Sequence, residues 1–179
     1  MTGQEVDQDE LLRLRNLVKQ GHVLLDPIGE ALKLDVSYTS TEKKLVESIG
    51  LIYDRIPVTE NHHPRNPEID YFVKLIMNLT DRDWLHLHCH GGRGRTTLFL
   101  NMYDMLLNAP NVSFEDILAR QNLLGGTYFY RLREPHDRRN GPVMERVKFL
   151  KDFYEYCCTC DPKIMSWSEW IVLQPQDKE

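Results

Sequence analysis

The segment Asp83–Leu107, DWLHLHCHGGRGRTTLFLNMYDMLL, carries a thiol, three glycines and two arginines between two apolar stretches. The alternation in WLHLH is typical of a strand, and the apolar residues from Arg95 to Leu107 predict a buried helix. In such a strand–loop–helix the amide groups of the loop can point inward and form a nest for an anion, to which the helix N-terminus adds its dipole. The segment therefore predicts a phosphate-binding loop.

Cys89 and Arg95 stand six residues apart, at the centre of this loop and on the first turn of the predicted helix. Gly91, Gly92 and Gly94 permit the backbone angles of a tight loop and leave room for an anion. The planar guanidinium of Arg95 can hold two phosphate oxygens. The positive surroundings are expected to lower the pKa of the Cys89 thiol well below its ordinary value of about 8.5. A thiolate beneath a bound phosphoryl group is an in-line nucleophile.

Three other chemistries fit the segment poorly. A Walker-type nucleotide loop ends in Gly-Lys-Ser/Thr, and the lysine is missing here. A metal site formed by His88, Cys89 and His90 would place neighbouring side chains on different sides of the backbone. A thioredoxin-like motif needs a second cysteine three residues after the first, where this chain has Gly92. Phosphate binding is the favoured interpretation.

Length and composition limit the class of protein. The chain has 179 residues, which is enough for one domain with its own core. Its net charge of −5 argues against a nucleic-acid-binding protein, although a local positive field can still attract an anionic substrate. No apolar run is long enough for membrane insertion. The acidic N-terminus, MTGQEVDQDE, predicts a cytoplasmic protein. A secreted or periplasmic protein is the alternative if a signal peptide has been removed.

Strand candidates alternate with helix candidates along the chain, which favours parallel strand pairing. We therefore predict an α/β fold in one domain, with a mostly parallel central sheet and helices on both of its faces. Three further cysteines near the C-terminus have no second group of metal ligands at a suitable spacing, so we interpret Cys157, Cys158 and Cys160 as structural. The strand candidates are residues 22–26, 31–36, 51–58 and 84–88.

The motif HCHGGRGRTT resembles the signature loop of the cysteine-dependent phosphatases, the protein-tyrosine-phosphatase superfamily. The neighbouring segments DWLHLHC, TTLFLNMYDML, VSFEDILARQNLLGG and SWSEWIVL are similar to the tyrosine-phosphatase-like inositol polyphosphatases, the bacterial cysteine phytases. The similarity runs from about Leu34 to about Leu173, and residues 1–33 show no counterpart. It implies a single phosphatase domain over residues 1–179, with a tyrosine-phosphatase-like fold and neither metal nor cofactor.

The resemblance extends to the roles of single residues. Cys89 and Arg95 match the nucleophile and the phosphate-holding arginine, and Thr96 matches the hydroxyl that helps to release the thiolate during turnover. His88 is expected to pack beneath the loop and fix it by hydrogen bonding. The residues that would surround the bound phosphate are His90, Gly91, Gly92, Arg93 and Gly94.

A general acid is needed to protonate the leaving oxygen. The strand candidate 51–58 ends just before the loop TENHHP, and functional groups gather at the carboxyl ends of neighbouring strands in α/β sheets. The family has Thr-Asp-His followed by a proline in this loop, so Glu60 takes the position of the acid and Asn61 replaces the histidine. We expect Glu60 to act as acid and then as base. Asp54 and Asp70 are weaker candidates.

Basic residues beyond the loop indicate a highly charged small substrate. The segment YRLREPHDRR matches a basic stretch that forms a wall for further phosphates in the family, although a solvated charged loop is the alternative interpretation. Two histidines of the acid-bearing segment can also contact a phosphate or remain solvated. The candidate substrate-binding residues are Arg131, Arg133, His136, Arg138, Arg139, His62 and His63.

These observations favour a metal-independent hydrolase of inositol polyphosphates. A phosphotyrosine, dual-specificity or phosphoinositide phosphatase would share the chemistry and differ in the walls of the cleft. A phosphate-binding module with weak turnover is a further alternative, because the acid position is altered at Glu60.

Overall fold

The computed structural model describes residues 3–25, 32–129 and 140–175. The chain forms two compact units, Met1–Pro57 and Val58–Glu179. The predicted nucleophile Cys89 and the predicted acid Glu60 both belong to the second unit. The basic residues predicted between positions 131 and 139 lie outside the described ranges.

The first unit contains a helix, a hairpin and a short second helix. Gly21 ends the first helix with a φ of +70°, a conformation that glycine adopts without strain. The two strands pair antiparallel, with His22 opposite Asp35. The second helix is capped by Thr41, whose hydroxyl accepts the amide of Lys44 at 3.3 Å. The elements are α1 (Gly3–Gln20), β1 (His22–Leu25), β2 (Leu32–Asp35) and α2 (Glu42–Ser48).

The second unit is helical in its described part. One central helix packs against three others, and the last helix packs against the first and fourth helices of the unit. The elements are α3 (Asn66–Met77), α4 (Gly94–Asn108), α5 (Phe114–Leu123), α6 (Asn140–Thr159) and α7 (Trp167–Leu173), with α4 at the centre. The apolar run from Arg95 to Leu107 was predicted from the sequence as a helix, and α4 confirms it.

Helices α5 and α7 begin at serine caps. The hydroxyl of Ser113 accepts the amide of Asp116 at 3.1 Å. Ser166 forms a capping box with Glu169, in which each side chain accepts a backbone amide of the other residue. Helix α4 differs, because no side chain of the described residues caps its N-terminus. Its first amide groups are thus left for another acceptor.

The core of the second unit is built from helix faces that meet around α4. Its interior is aromatic where α6 meets α7, and the hydroxyl of Tyr156 donates to the carbonyl oxygen of Met165 at 2.7 Å. Asp70, a weaker acid candidate, instead accepts the backbone amide of Ser168 at 3.0 Å and so joins α3 to α7. Side chains with almost no exposed surface include Ile69, Phe72, Leu98, Met102, Met105, Ile117, Leu150, Phe153 and Tyr156.

Within the described residues, the one sheet is the antiparallel hairpin of β1 and β2, which is not the predicted parallel central sheet. Residues 52–58 and 84–89 belong to no strand of the described chain. Ile52 is 97% exposed and Trp84 is 78% exposed, as expected for strand-like segments without a neighbouring strand. The mostly parallel central sheet therefore stays a prediction.

The cysteines outside the candidate loop are free thiols. Cys157 is buried, and burial raises its pKa above the ordinary range, as expected for a structural cysteine. Among the described residues, no cluster of three or more potential ligands is arranged to hold a metal ion. No helix in the described ranges combines the length and apolarity that crossing a membrane would need.

Candidate active site

The candidate loop runs from Cys89 to the start of α4. Cys89 is partly buried, and residues 90–93 bend towards the helix without regular structure. Gly92 has a φ of +62°, which disfavours any side chain at that position. The loop delivers the backbone directly into the uncapped N-terminus of α4. This is the loop and helix arrangement that an anion nest requires.

The environment of the Cys89 thiol favours its ionised form. Burial acts to raise its pKa, but hydrogen bonds from the hydroxyl of Thr96 and from the backbone amides of Thr96, Arg93 and Gly91 outweigh it. These donors lower the pKa of Cys89 to about 6. The thiol is therefore mostly thiolate at neutral pH, in agreement with the expectation from the sequence.

Two neighbouring threonines, Thr96 and Thr97, interact with different parts of this loop. Thr96 Oγ1 is buried and has no geometric hydrogen-bond partner among the described residues, so its hydroxyl is available to stabilise the Cys89 thiolate, whose pKa it lowers. Thr97 Oγ1 donates to the carbonyl oxygen of Arg93 at 2.7 Å and accepts the amide of Thr127 at 2.9 Å. Thr97 thus links the loop to the segment after α5.

We call residues 89–95 the phosphate loop and residues 58–63 the acid loop. Arg95 connects the two. Its Nη1 donates to the carbonyl oxygen of Val58 at 3.2 Å. The acid loop then turns tightly, because the amide of His62 donates to the carbonyl oxygen of Thr59 at 3.2 Å. Glu60 lies in this turn with an exposed side chain. The structure thereby brings the predicted arginine and the predicted acid-bearing turn together.

The two histidines of the acid loop converge on one carboxylate. His62 Nδ1 lies 3.5 Å and His63 Nε2 lies 3.3 Å from Glu145 Oε1. The ring of His63 also stacks on Phe149, with centroids 4.9 Å apart. Both contacts come from helix α6. The sequence predicted these histidines as phosphate contacts or solvated residues, and it did not identify Glu145.

Arg146 is a second residue of α6 that sequence reasoning missed. Only 8% of it is exposed, and its guanidinium lies 5.2 Å from the centre of the Phe129 ring. A Cβ at Gly94 would stand 3.3 Å from its Nη1, so the cation lies beside the start of α4. Burial lowers the pKa of Arg146, while Glu145 acts in the opposite direction. Arg146 stands three residues before Phe149 and so shares the apolar face of α6 with it. A cation on an apolar helix face was the sequence signal that could have identified Arg146.

The remaining predicted site residues are less closely assembled. His88 is exposed and its ring lies 5.4 Å from that of His86, and Trp84 continues this row on alternate residues. Its predicted support of the loop from beneath stays a prediction. His90 and Arg93 are exposed on the loop. Arg131, Arg133, His136, Arg138 and Arg139 lie outside the described residues.

An ionised cysteine in a glycine-rich loop at a helix N-terminus, followed by an arginine on the first turn, is the arrangement expected of a cysteine-dependent phosphatase. The chain belongs to the protein-tyrosine-phosphatase-like phytase family. The model of that family, described as "Inositol hexakisphosphate", matches residues 6–107. The match includes most of the N-terminal segment for which the motifs alone showed no counterpart.

Curated relatives come from the genera Pseudomonas and Xanthomonas. The effector protein hopD2 of Pseudomonas syringae pathovar tomato is 32% identical over 133 residues, which are 73% of this chain and 28% of the relative. An uncharacterized protein, AvrBs1.1, of Xanthomonas campestris pathovar campestris is 41% identical over 91 residues, which are 49% of this chain and 86% of the relative.

Solved structures with the same fold come from two other bacteria. The tyrosine-phosphatase-like myo-inositol phosphatase of Mitsuokella multacida, solved with myo-inositol-(1,3,4,5)-tetrakisphosphate, has a TM-score of 0.81 at 34% identity. The alignment covers 96% of this chain and 31% of the Mitsuokella chain. A phytase of this type from Bdellovibrio bacteriovorus has a TM-score of 0.76 at 30% identity, over 96% of this chain and 64% of that one. The chain thus spans about three-tenths of the effector and of the Mitsuokella protein.

Proposed function

We propose that the protein removes phosphate groups from myo-inositol polyphosphates through a cysteinyl-phosphate intermediate and without a metal ion. The observation that carries this proposal is the Cys89 thiol, whose pKa of about 6 results from amide and hydroxyl donors around its sulfur. Membership of the phytase family supports the phosphatase chemistry. The inositol tetrakisphosphate in the Mitsuokella neighbour supports the substrate class.

In the first step the Cys89 thiolate attacks phosphorus, and the bond from phosphorus to the inositol oxygen breaks. Arg95 and the loop amides hold the other phosphate oxygens as charge shifts onto them. Glu60 gives its proton to the leaving oxygen, which would otherwise depart as a poor alkoxide leaving group. The products of this step are the free inositol hydroxyl and the cysteinyl-phosphate.

In the second step a water molecule attacks the cysteinyl-phosphate and releases inorganic phosphate. Glu60, now a carboxylate, takes a proton from this water. The sulfur leaves with the bonding electron pair, and the hydroxyl of Thr96 stabilises the returning thiolate. A thiol of low pKa is suited to both steps, because it is an ionised nucleophile and a good leaving group.

The finer parts of the proposal concern the substrate and the fold. We expect the arginines and histidine between positions 131 and 139 to contact the substrate's other phosphates. We also expect residues 51–58 and 84–88 to be strands of a mostly parallel sheet in one phosphatase domain. Weak turnover by a phosphate-binding module is the second candidate, because Glu60 with Asn61 replaces the aspartate–histidine pair of the family.

The experiment that tests the proposal is release of phosphate from inositol hexakisphosphate in the presence of EDTA. Wild type should release phosphate, and Cys89→Ser should lose at least about a thousandfold in kcat, because a hydroxyl is not ionised at neutral pH. Substantial turnover by Cys89→Ser would contradict the mechanism. Binding of the substrate by wild type without turnover would favour the phosphate-binding module.

A further inference from the structure

The acid loop is attached to the rest of the second unit at both of its ends. At its start, the carbonyl oxygen of Val58 accepts a hydrogen bond from Arg95 of the phosphate loop at 3.2 Å. At its end, His62 and His63 lie 3.5 and 3.3 Å from the same oxygen of Glu145. The turn that carries the predicted acid lies between these two attachments.

The second attachment is well defined by its surroundings. His63 stacks on Phe149, which lies one helical turn after Glu145, so one histidine contacts two positions on the same face of α6. The other ring nitrogen of His63 lies 2.6 Å from the carbonyl oxygen of Pro64, which fixes the orientation of the ring. Next to Glu145, the buried Arg146 lies against the start of α4. Helix α6 therefore contacts both catalytic loops with consecutive residues.

The exposure of the three partners indicates the kind of effect to expect. The side chains of His62, His63 and Glu145 are 50%, 33% and 42% exposed. Ion pairs that water can reach contribute little to the free energy of unfolding. A carboxylate shared by two side chains of a short turn instead restricts the conformations of that turn. Small displacements of a catalytic group are costly for the rate even where they cost little stability.

We propose that Glu145 is a positioning residue for the acid loop. By holding His62 and His63, it keeps the turn at Glu60 in place above the phosphate loop, so that the proton reaches the leaving oxygen. The inference rests on the proposed function in one respect, because it takes Glu60 as the general acid. Glu145 itself touches neither substrate nor nucleophile in this account.

The kinetic test compares Glu145→Ala with wild type on two esters. For inositol hexakisphosphate, kcat should fall about tenfold, because its alkoxide leaving group needs the proton. For an aryl phosphate with a good leaving group, kcat should change less than about twofold, and KM should stay within about twofold for both esters. Glu145→Gln keeps an acceptor oxygen of the same reach and should recover most of the loss. Equal losses on both esters, or no loss on either, would overturn the proposal.

A matched control and a second measurement separate this proposal from the proposed function. Glu155→Ala removes an exposed carboxylate further along α6 and should behave as wild type. Hydrogen exchange at the amide of His62, which donates to Thr59, reports the acid loop without any turnover. Its exchange should accelerate at least about fivefold in Glu145→Ala and stay unchanged in Glu155→Ala. Unchanged exchange in Glu145→Ala refutes positioning, whereas a wild type inactive on both esters refutes only the proposed function.

Discussion

Thr96 is the residue on which the ionisation of Cys89 depends most directly. Its hydroxyl and its amide both lower the pKa of Cys89, and the buried hydroxyl makes no hydrogen bond to another group of the described residues. Such donors stabilise the charged form of a thiol, so their removal raises the pKa. The threonine that the family resemblance assigned to turnover is therefore also expected to set the pH range in which the nucleophile is ionised.

We predict that Thr96→Val raises the pKa of Cys89 from about 6 to about 7. In wild type the reactive thiolate predominates above pH of about 6 and is lost as the pH falls through that value, and the variant moves this transition upward. The rate of Cys89 alkylation by iodoacetamide against pH, followed by mass spectrometry at that cysteine, measures the shift. Thr96→Ser keeps the hydroxyl and should retain the wild-type midpoint. Identical midpoints for the valine and serine variants would show that the hydroxyl does not matter.

Thr97 of α4 links the phosphate loop to the segment after α5, where Gly126 lies in close contact with the backbone of α5. A Cβ at Gly126 would stand 2.7 Å from the carbonyl oxygen of Gln121 and 2.8 Å from Cγ2 of Thr97. Both distances are shorter than non-bonded atoms tolerate, and the first involves backbone that cannot rotate away. Because Thr97 also holds Arg93 of the loop, a displacement there reaches the donors around the sulfur.

Gly126→Ala is accordingly predicted to lower the free energy of unfolding by about 1–3 kcal/mol, as measured by urea denaturation. It should also raise the pKa of Cys89, through the shift of Thr97 and Arg93. The control is Gly141→Ala in helix α6, where an added Cβ meets no atom within 4 Å. That change should leave stability equal or slightly higher, because alanine favours helix over glycine. Equal stabilities for the two variants would mean that the contact at Gly126 relaxes freely.

The elements that the sequence predicted correctly are those with local signals. Helix α4 follows from its apolar run. The contact between Glu145 and His62 had no local signal, since the two residues are far apart in the sequence and meet only in the folded chain. The central sheet is the opposite case: strand-like alternation at residues 84–88 describes only one strand, and a ladder needs a partner.

The molecule as a whole is acidic, yet the candidate site is bordered by cations. The net charge is −5, while Arg93, Arg95 and the buried Arg146 lie at or beside the start of α4. A positive region within a negative protein attracts anions through its local field, and the attraction grows with the charge of the ligand. A polyphosphorylated inositol carries several more negative charges than a simple phosphate monoester. Screening by salt should therefore distinguish the two kinds of substrate.

We predict that raising the ionic strength from about 0.05 to about 0.5 M lowers kcat/KM for inositol hexakisphosphate about tenfold or more. For an aryl monophosphate, or for a phosphotyrosine peptide without other acidic residues, the decrease should be less than about threefold. Sodium chloride titrations with both substrates at one pH measure this difference, and potassium chloride controls for effects specific to sodium. A common salt dependence would mean that only the scissile phosphate contacts cations. The phosphotyrosine alternative would then gain support, because such a substrate needs one phosphate site and no wall for the others.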